Sequence, residues 1–170
     1  MINDNDVLYD ILGKKEKLYT FDNIFQEKDK NHTIFNQSIL NMIDNIHLGY
    51  NSTALAYGVT GAGKTHTMFG DIYNTNTQEK GIATYATEYL FEKLKTNLDV
   101  DYNVKISYLE IYNEQVIDLL HNNINPLLVI EDPIKGIYVP DLSEYKVKNS
   151  NELIKYIIQG NTKRTMAPTG

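Results

Sequence analysis

A glycine-rich segment at residues 58–65 constrains the fold of this chain more than any other part of its sequence. It reads Gly58-Val59-Thr60-Gly61-Ala62-Gly63-Lys64-Thr65 and fits the pattern Gly, four residues, Gly-Lys-Ser/Thr without a mismatch. Average residue usage predicts such a match by chance in about one chain of this length per hundred. A mostly apolar run, residues 52–57, precedes the segment and predicts a buried strand. The sequence therefore predicts a strand, a phosphate-binding turn (P-loop) and a helix, in that order.

The residue types in this turn suit the binding of a nucleoside triphosphate. Glycines let the backbone turn tightly, so that successive N–H groups point inward at phosphate oxygens, and the following helix adds the partial positive charge of its N-terminus. We expect Lys64 to bridge the β- and γ-phosphates of ATP and the hydroxyl of Thr65 to ligate Mg²⁺. The alternative, a glycine-rich turn without chemical function, leaves Lys64 without a packing reason to be there.

Hydrolysis requires more than a P-loop, because a carboxylate must serve the metal and another group must orient the attacking water. Glu131 and Asp132 follow the apolar run at residues 127–130, which is the general form of such a carboxylate element. One hypothesis is thus an unrelated P-loop ATPase or kinase that uses either acid at the metal. We favour the other interpretation, in which the strand end is charged because it reaches solvent.

The apolar periodicity predicts an α/β fold. Strands are expected at residues 17–25, 52–57, 100–112 and 127–130, and helices at residues 35–46, 82–94 and 149–160. Gly49 and Gly160 are expected to end two of these helices, a capping box of Asn149 and Glu152 to begin the last, and residues 71–80 to form a loop. Strands that alternate with helices predict one domain over residues 1–170, with a mixed, mainly parallel central sheet covered by helices on both faces.

Composition excludes several functional classes. The chain has no Cys, which excludes disulfide frameworks, Cys-ligated zinc, Fe–S clusters and thiol nucleophiles. No window approaches the roughly 18 apolar residues of a membrane span, and the acidic N-terminus lacks the apolar segment of a secretory signal. The formal net charge of -6 argues against a broad nucleic-acid-binding surface. We therefore expect a soluble intracellular protein with no membrane span and no nucleic-acid partner, although the net charge does not exclude one basic face.

The P-loop segment is accompanied by Gly49-Tyr50-Asn51, Ala56-Tyr57-Gly58, Gly63-Lys64-Thr65-His66-Thr67-Met68 and Gly70. These residues strongly resemble the kinesin motor domain. Other segments similar to the family are Tyr19-Thr20-Phe21-Asp22-Asn23-Ile24-Phe25, Ser107-Tyr108-Leu109-Glu110-Ile111-Tyr112-Asn113-Glu114, Asp118-Leu119-Leu120, Glu131-Asp132, Gly136, Tyr138-Val139, Leu142, Gly160-Asn161, Arg164, Ala167 and Thr169. The matches follow one another in unbroken order over most of the chain, so they are far more specific than the P-loop alone.

This resemblance implies a P-loop NTPase fold of the kinesin motor type and ATP-driven movement on microtubules in the cytoplasm. It implies that His66 lies against the adenine ring and that Glu131 and Asp132 lie across the sheet from the nucleotide. It also implies that Lys135, Lys146 and Lys148 are candidates for contact with acidic tubulin, although ordinary solvated lysines are the alternative. The sequence of residues 56–65 favours the subfamily that walks to and trims microtubule plus ends. The family resemblance also implies a dimer formed through a stalk.

The sequence departs from the family pattern in several places. Arg164 is the only Arg, so the Arg-x-Arg-Pro segment that packs on adenine in the family is absent. The switch I and switch II sequences of the family would begin after Gly170, as would the strands expected on either side of residues 52–57. We therefore expect residues 1–170 to be a partial motor domain in which Lys64 is the only catalytic candidate, and not to fold stably or hydrolyse ATP alone. A degenerate module that binds nucleotide or tubulin without turnover remains an alternative.

Overall fold

The computed structural model describes residues 6–10, 16–46, 48–72, 79–96, 101–122 and 125–164. The helices are α1 (Asn31–Ile34), α2 (Leu40–Ile46), α3 (Lys64–Phe69), α4 (Ile82–Thr96) and α5 (Ser150–Lys163), and a π-helical segment, Phe35–Ile39, joins α1 to α2. The strands are β1 (Asp6–Asp10), β2 (Glu16–Thr20), β3 (Val104–Ile106), β4 (Leu109–Tyr112), β5 (Gln115–Asp118), β6 (Ile130–Asp132), β7 (Gly136–Tyr138) and β8 (Tyr145–Val147). All three predicted helical regions are helical.

The strands form four antiparallel pairs, β1 with β2, β3 with β8, β4 with β5, and β6 with β7. The described residues contain no parallel pair, and residues 52–57, the expected buried strand, have no ladder partner there. The side chains of Leu55 and Tyr57 are accordingly 84% and 94% exposed. Because a strand needs neighbours for its N–H and C=O groups, the apolar run cannot become a buried strand without partners. Residues 52–57 are therefore unpaired and mostly exposed, because the described residues contain no strand beside them.

Three strand boundaries differ from the prediction. The expected long strand at residues 100–112 divides at Ser107 and Tyr108, because β3 pairs with β8 whereas β4 pairs with β5; residue 100 lies outside the described residues. Of residues 127–130, Leu127 makes only an isolated bridge to Val116, and β6 begins at Ile130. The strand expected at residues 17–25 is confined to β2. A bridge between Gly70 and Lys80 closes the base of the expected loop, of which residues 73–78 lie outside the described part.

Helix α4 lies at the centre of the helical packing, against α2, α3 and α5. Its buried residues are Ile82, Thr84, Thr87 and Phe91. Of the apolar residues that recur at helical spacing in α4, Ile82 is buried, and Ala86, Tyr89, Leu90 and Leu94 are half-buried, because α4 is covered from more than one side. Its Phe91 and Leu119, which follows β5, are the most deeply buried large side chains, 2% and 1% exposed.

Helix α5 begins as predicted but does not end where predicted. The Asn149 side chain accepts a hydrogen bond from the Glu152 N–H (2.9 Å), and the Glu152 carboxylate accepts one from the Lys148 N–H (2.8 Å). The predicted end at Gly160 is wrong, since α5 continues to Lys163. Gly160 is instead buried against the ring of Tyr108, whose hydroxyl donates to Asn161 Oδ1 (2.7 Å). Glycine is needed there for close packing between α5 and the strand layer.

Candidate nucleotide-binding site

The glycine-rich turn has the backbone geometry that its sequence predicts. Gly61 and Gly63 have φ angles of +82° and +88°, a region that glycine adopts without the steric cost borne by other residues. The turn is closed by a hydrogen bond from the Ala62 N–H to the Val59 carbonyl (3.1 Å). Helix α3 follows at once, with Gly63 as its N-cap residue. The predicted order of turn and helix is therefore confirmed, whereas the strand before it is not formed.

Lys64 places its positive charge over the turn. Its Nζ donates to the carbonyl oxygens of Gly58 (2.7 Å) and Val59 (2.8 Å), so the ammonium group lies against the first two residues of the turn. The next residue, Thr65, is exposed. Both residues border a cleft of about 550 Å³. The rest of its lining is mainly apolar, and none of residues 58–63 borders it. The cation of Lys64 and the solvent-accessible hydroxyl of Thr65 follow directly on the tight glycine turn, an arrangement that fits the Mg²⁺-bound phosphates of a nucleotide.

His66, the predicted adenine contact, lies in α3 with an exposed side chain. Its backbone carbonyl accepts two hydrogen bonds, one from the Gly70 N–H (2.8 Å) and one from the Asn31 side-chain amide (3.0 Å). Asn31 is a residue that the sequence interpretation missed. Asn31 precedes the helix predicted at residues 35–46, and no spacing in the sequence relates it to the P-loop.

The cleft beside Lys64 is also bordered by Glu110 and Arg164. Arg164 Nε lies 3.8 Å from the Glu110 carboxylate, and the guanidinium lies 6.0 Å from the centroid of the Phe69 ring in α3. The sequence singled out Arg164 as the sole Arg and as a family match, but did not place it beside the P-loop helix. The structure thus places an Arg–carboxylate pair beside the helix that follows the P-loop.

Glu131 and Asp132, weighed as metal-binding acids, do not border this cleft among the described residues. The Asp132 carboxylate accepts hydrogen bonds from the N–H groups of Lys135 and Ile134, both at 2.8 Å. These bonds, the one from Lys135 first, lower the pKa of Asp132 below its ordinary value. Asp132 therefore stabilises the turn between β6 and β7. The geometry favours the interpretation of a charged strand end over that of a metal site.

The three lysines predicted to contact tubulin lie on two separate surfaces. Lys135 lies in the β6–β7 turn, with its Nζ 5.1 Å from the centroid of the Tyr138 ring. Lys146 and Lys148 border a different depression of about 380 Å³ together with Lys155 of α5. All three predicted lysines are exposed, and no ion pair joins any of them to another described residue. Sequence reasoning missed Lys155 because only the fold brings α5 beside β8.

The residues that the structure describes contain neither a membrane-spanning helix nor a cluster of metal-binding side chains. No helix there is both long enough and apolar enough to cross a membrane. Nor does that part of the chain gather three or more His, Cys, Asp or Glu side chains in a geometry suited to a metal ion. The P-loop is therefore the best-supported candidate site.

Comparison with known proteins gives one consistent result. The family described as "Kinesin motor domain" matches residues 5–170. The chain is similar to Kinesin-like protein KIN-12C of Arabidopsis thaliana (37% identical, covering 93% of this chain and 8% of the relative) and to Kinesin-like protein KIF18B of Mus musculus (39%, covering 91% and 18%). It is also similar to a solved structure described as a fast kinesin, with a TM-score of 0.88 and 32% identity over 100% of this chain and 48% of that one. The chain thus spans less than a fifth of these two relatives and about half of the solved structure.

Proposed function

Since this chain belongs to the kinesin motor domain family, we propose that it is the P-loop part of an ATP-hydrolysing motor that moves on microtubules in the cytoplasm. Its fold is the α/β P-loop fold of the kinesin motor type, of which residues 1–170 form one partial domain. Family membership supports microtubule motor function in general. The assignment of particular residues to ATP, Mg²⁺ and tubulin is our proposal.

The observation that carries the proposal is the position of Lys64. Its ammonium group lies 2.7 Å and 2.8 Å from two carbonyls of the turn that would surround the phosphates. Because each carbonyl is only a weak, neutral partner for a cation, anionic phosphate oxygens would bind the ammonium more strongly. Lys64 forms no ion pair with a described carboxylate, so its charge is available to phosphate.

The remaining P-loop residues and His66 would each bind a different part of the Mg²⁺-bound nucleotide. The backbone N–H groups of residues 58–65 would donate to the phosphate oxygens, and the Thr65 hydroxyl would ligate Mg²⁺. The exposed ring of His66 would contact the adenine. When bound, Mg²⁺ offsets the charge of the triphosphate and of the transition state. What this chain contributes is therefore the binding and orientation of the nucleotide, with Lys64 as its catalytic candidate.

The partner we propose is the acidic surface of tubulin. Lys135, Lys146 and Lys148 present positive charge on two exposed surfaces, and complementary charge speeds association and fixes orientation. Exposed lysines contribute little individually, because solvent and salt screen them. We therefore expect their joint replacement to matter more than any single one.

ATP turnover by the complete protein, measured with and without microtubules, tests the proposal. We expect microtubules to stimulate turnover and Lys64→Ala to abolish it. Lys95→Ala is the matched control, because Lys95 is an exposed lysine at the end of α4. Nucleotide binding without any turnover would favour the degenerate binding module instead. Unchanged turnover in Lys64→Ala would contradict the proposed site.

A further inference from the structure

Asn31, the first residue of α1, is a buried polar residue that the proposed mechanism does not use. It is 3% exposed, although it lies at a helix start, where polar side chains usually face solvent. Its side-chain Nδ2 donates to the His66 carbonyl (3.0 Å) and to the Lys80 carbonyl (3.1 Å). One amide group therefore joins three segments that are far apart in the sequence: α1, α3 and the residues that lead into α4.

The chemistry of this site requires a primary amide. Both partners are carbonyl oxygens, so the buried group must supply two N–H donors, and the orientation of the amide follows from its partners. A carboxylate would place negative charge against two acceptors, and a hydroxyl has one hydrogen to donate. Asn31 itself is buried and its two bonds are partly buried, so a side chain without these donors would leave the site with unsatisfied groups. The Asn31 amide is therefore suited to link α1 to α3 and to the residues before α4.

The hydrogen bond from Asn31 to His66 attaches α1 to α3, the helix that begins with the P-loop lysine. Helix α3 has six residues, too few to be stable without tertiary contacts. At its N-terminal end the Lys64 side chain reaches back to the turn, and at its C-terminal end Gly70 bridges to Lys80. Asn31 supplies a further hydrogen bond, to His66 between these two ends. His66 comes directly after Lys64 and Thr65, so Asn31 holds α3 within one turn of the residues proposed to bind the phosphates and Mg²⁺.

We propose that Asn31 is a positioning residue for nucleotide binding, acting through His66 to hold Lys64 and Thr65 in the geometry that receives the phosphates. The inference rests on the proposed function of the P-loop and adds a residue from another part of the chain to it. Its ligand is the Mg²⁺-bound diphosphate of a nucleotide. Asn31 itself does not touch the ligand.

The test is a titration of the complete protein with MgADP, combined with thermal unfolding. We expect Asn31→Ala to weaken MgADP binding about tenfold, since two partly buried hydrogen bonds that orient the site are lost. Asn36→Ala is the matched control in the π-helical segment that follows α1, because Asn36 is exposed and its side chain contacts His32. Val116→Ala, which changes a buried residue of β5, controls for general destabilisation. We expect both controls to bind MgADP within about twofold of the unaltered protein, well below the tenfold effect.

The two readouts separate positioning from stability. If Asn31→Ala lowers the unfolding temperature as Val116→Ala does but leaves MgADP affinity unchanged, Asn31 is a structural residue and the inference is overturned. Should Asn31→Ala not fold, Asn31→Gln decides, because it keeps both donors on a longer stem: weaker MgADP binding by a folded protein supports the inference, and unchanged binding overturns it. If the unaltered protein does not bind MgADP, the proposed function fails and this inference with it.

Discussion

Gly160→Ala should destabilise the protein, although alanine is the better helix former. Gly160 lies in the last turn of α5, with its backbone against the ring of Tyr108. A Cβ at residue 160 would lie 2.6 Å from Tyr108 Cε1 and 3.2 Å from Cγ, closer than carbon atoms pack. The ring cannot turn aside freely, because its hydroxyl is bonded to Asn161 and its face lies near Phe69. The added methyl group must therefore displace α5, the ring, or both.

The change in the free energy of unfolding has two destabilising contributions and one stabilising contribution. Overpacking a well-packed contact costs typically about 1–3 kcal/mol. Displacement of the ring would also weaken the hydrogen bond between Tyr108 and Asn161, with a net loss of about 1 kcal/mol. The replacement of glycine in a helix returns about 0.5–1 kcal/mol. We therefore expect a net loss of about 2 kcal/mol in the free energy of unfolding, which for an m-value of about 2 kcal/mol/M lowers the urea midpoint by about 1 M.

Urea unfolding of the complete protein, followed by circular dichroism, measures this effect. Asn151→Ala, an exposed substitution in the same helix, controls for helix propensity. In a Tyr108→Ala background the clash is absent, so Gly160→Ala should there be neutral or slightly stabilising; the double-mutant cycle isolates the contact. A midpoint that rises in the single Gly160→Ala variant, or the same loss in both backgrounds, would refute the reasoning.

Two further predictions concern the ends of α5 and β5. Asn149→Ala should lower the free energy of unfolding by about 1 kcal/mol, because the N-cap acceptor for the Glu152 N–H is lost; Asn151→Ala is again the control, and equal urea midpoints for the two variants would contradict the capping role. Burial would by itself raise the pKa of Asp118, but hydrogen bonds that include the N–H groups of Ser143, Leu120 and His121 outweigh it and lower the pKa below its ordinary value. Asp118 therefore adds stability above its unfolded-state pKa, and this is lost as the pH falls through the folded-state pKa. Thermal unfolding between pH 6 and pH 2 should show a smaller acid-induced loss in Asp118→Asn than in the unaltered protein, and parallel curves would argue against this source of acid sensitivity.

The sequence predicted those features that depend on neighbouring residues. The P-loop turn, the start of α5 at Asn149 and the three helical regions follow from local patterns of glycine, capping residues and apolar spacing. The resemblance to the kinesin motor domain likewise rested on contiguous motifs, and the family match over residues 5–170 confirms it. Local signals were sufficient because each of these features is completed within a few residues.

Features that depend on distant partners were predicted less well. Residues 52–57 have the composition of a buried strand, but pairing decides whether a strand forms, and the described residues supply no partner. The sequence predicts a helix end at Gly160, because a glycine that ends a helix and a glycine that packs against an aromatic ring cannot be distinguished from sequence alone. Asn31 lies beside α3, and Lys155 lies beside Lys146 and Lys148, only because the fold brings distant segments together. No local sequence pattern predicts such contacts.

One titration tests most directly the claim that the turn at residues 58–65, and not the acids at the end of β6, binds the nucleotide. The complete protein, Lys64→Ala and Glu131→Gln would be titrated with MgADP under the same conditions. We expect Lys64→Ala to weaken binding about 100-fold, because a charge-assisted contact to phosphate is lost, and Glu131→Gln to bind as the unaltered protein does. Normal binding by Lys64→Ala together with loss of binding by Glu131→Gln would contradict the account.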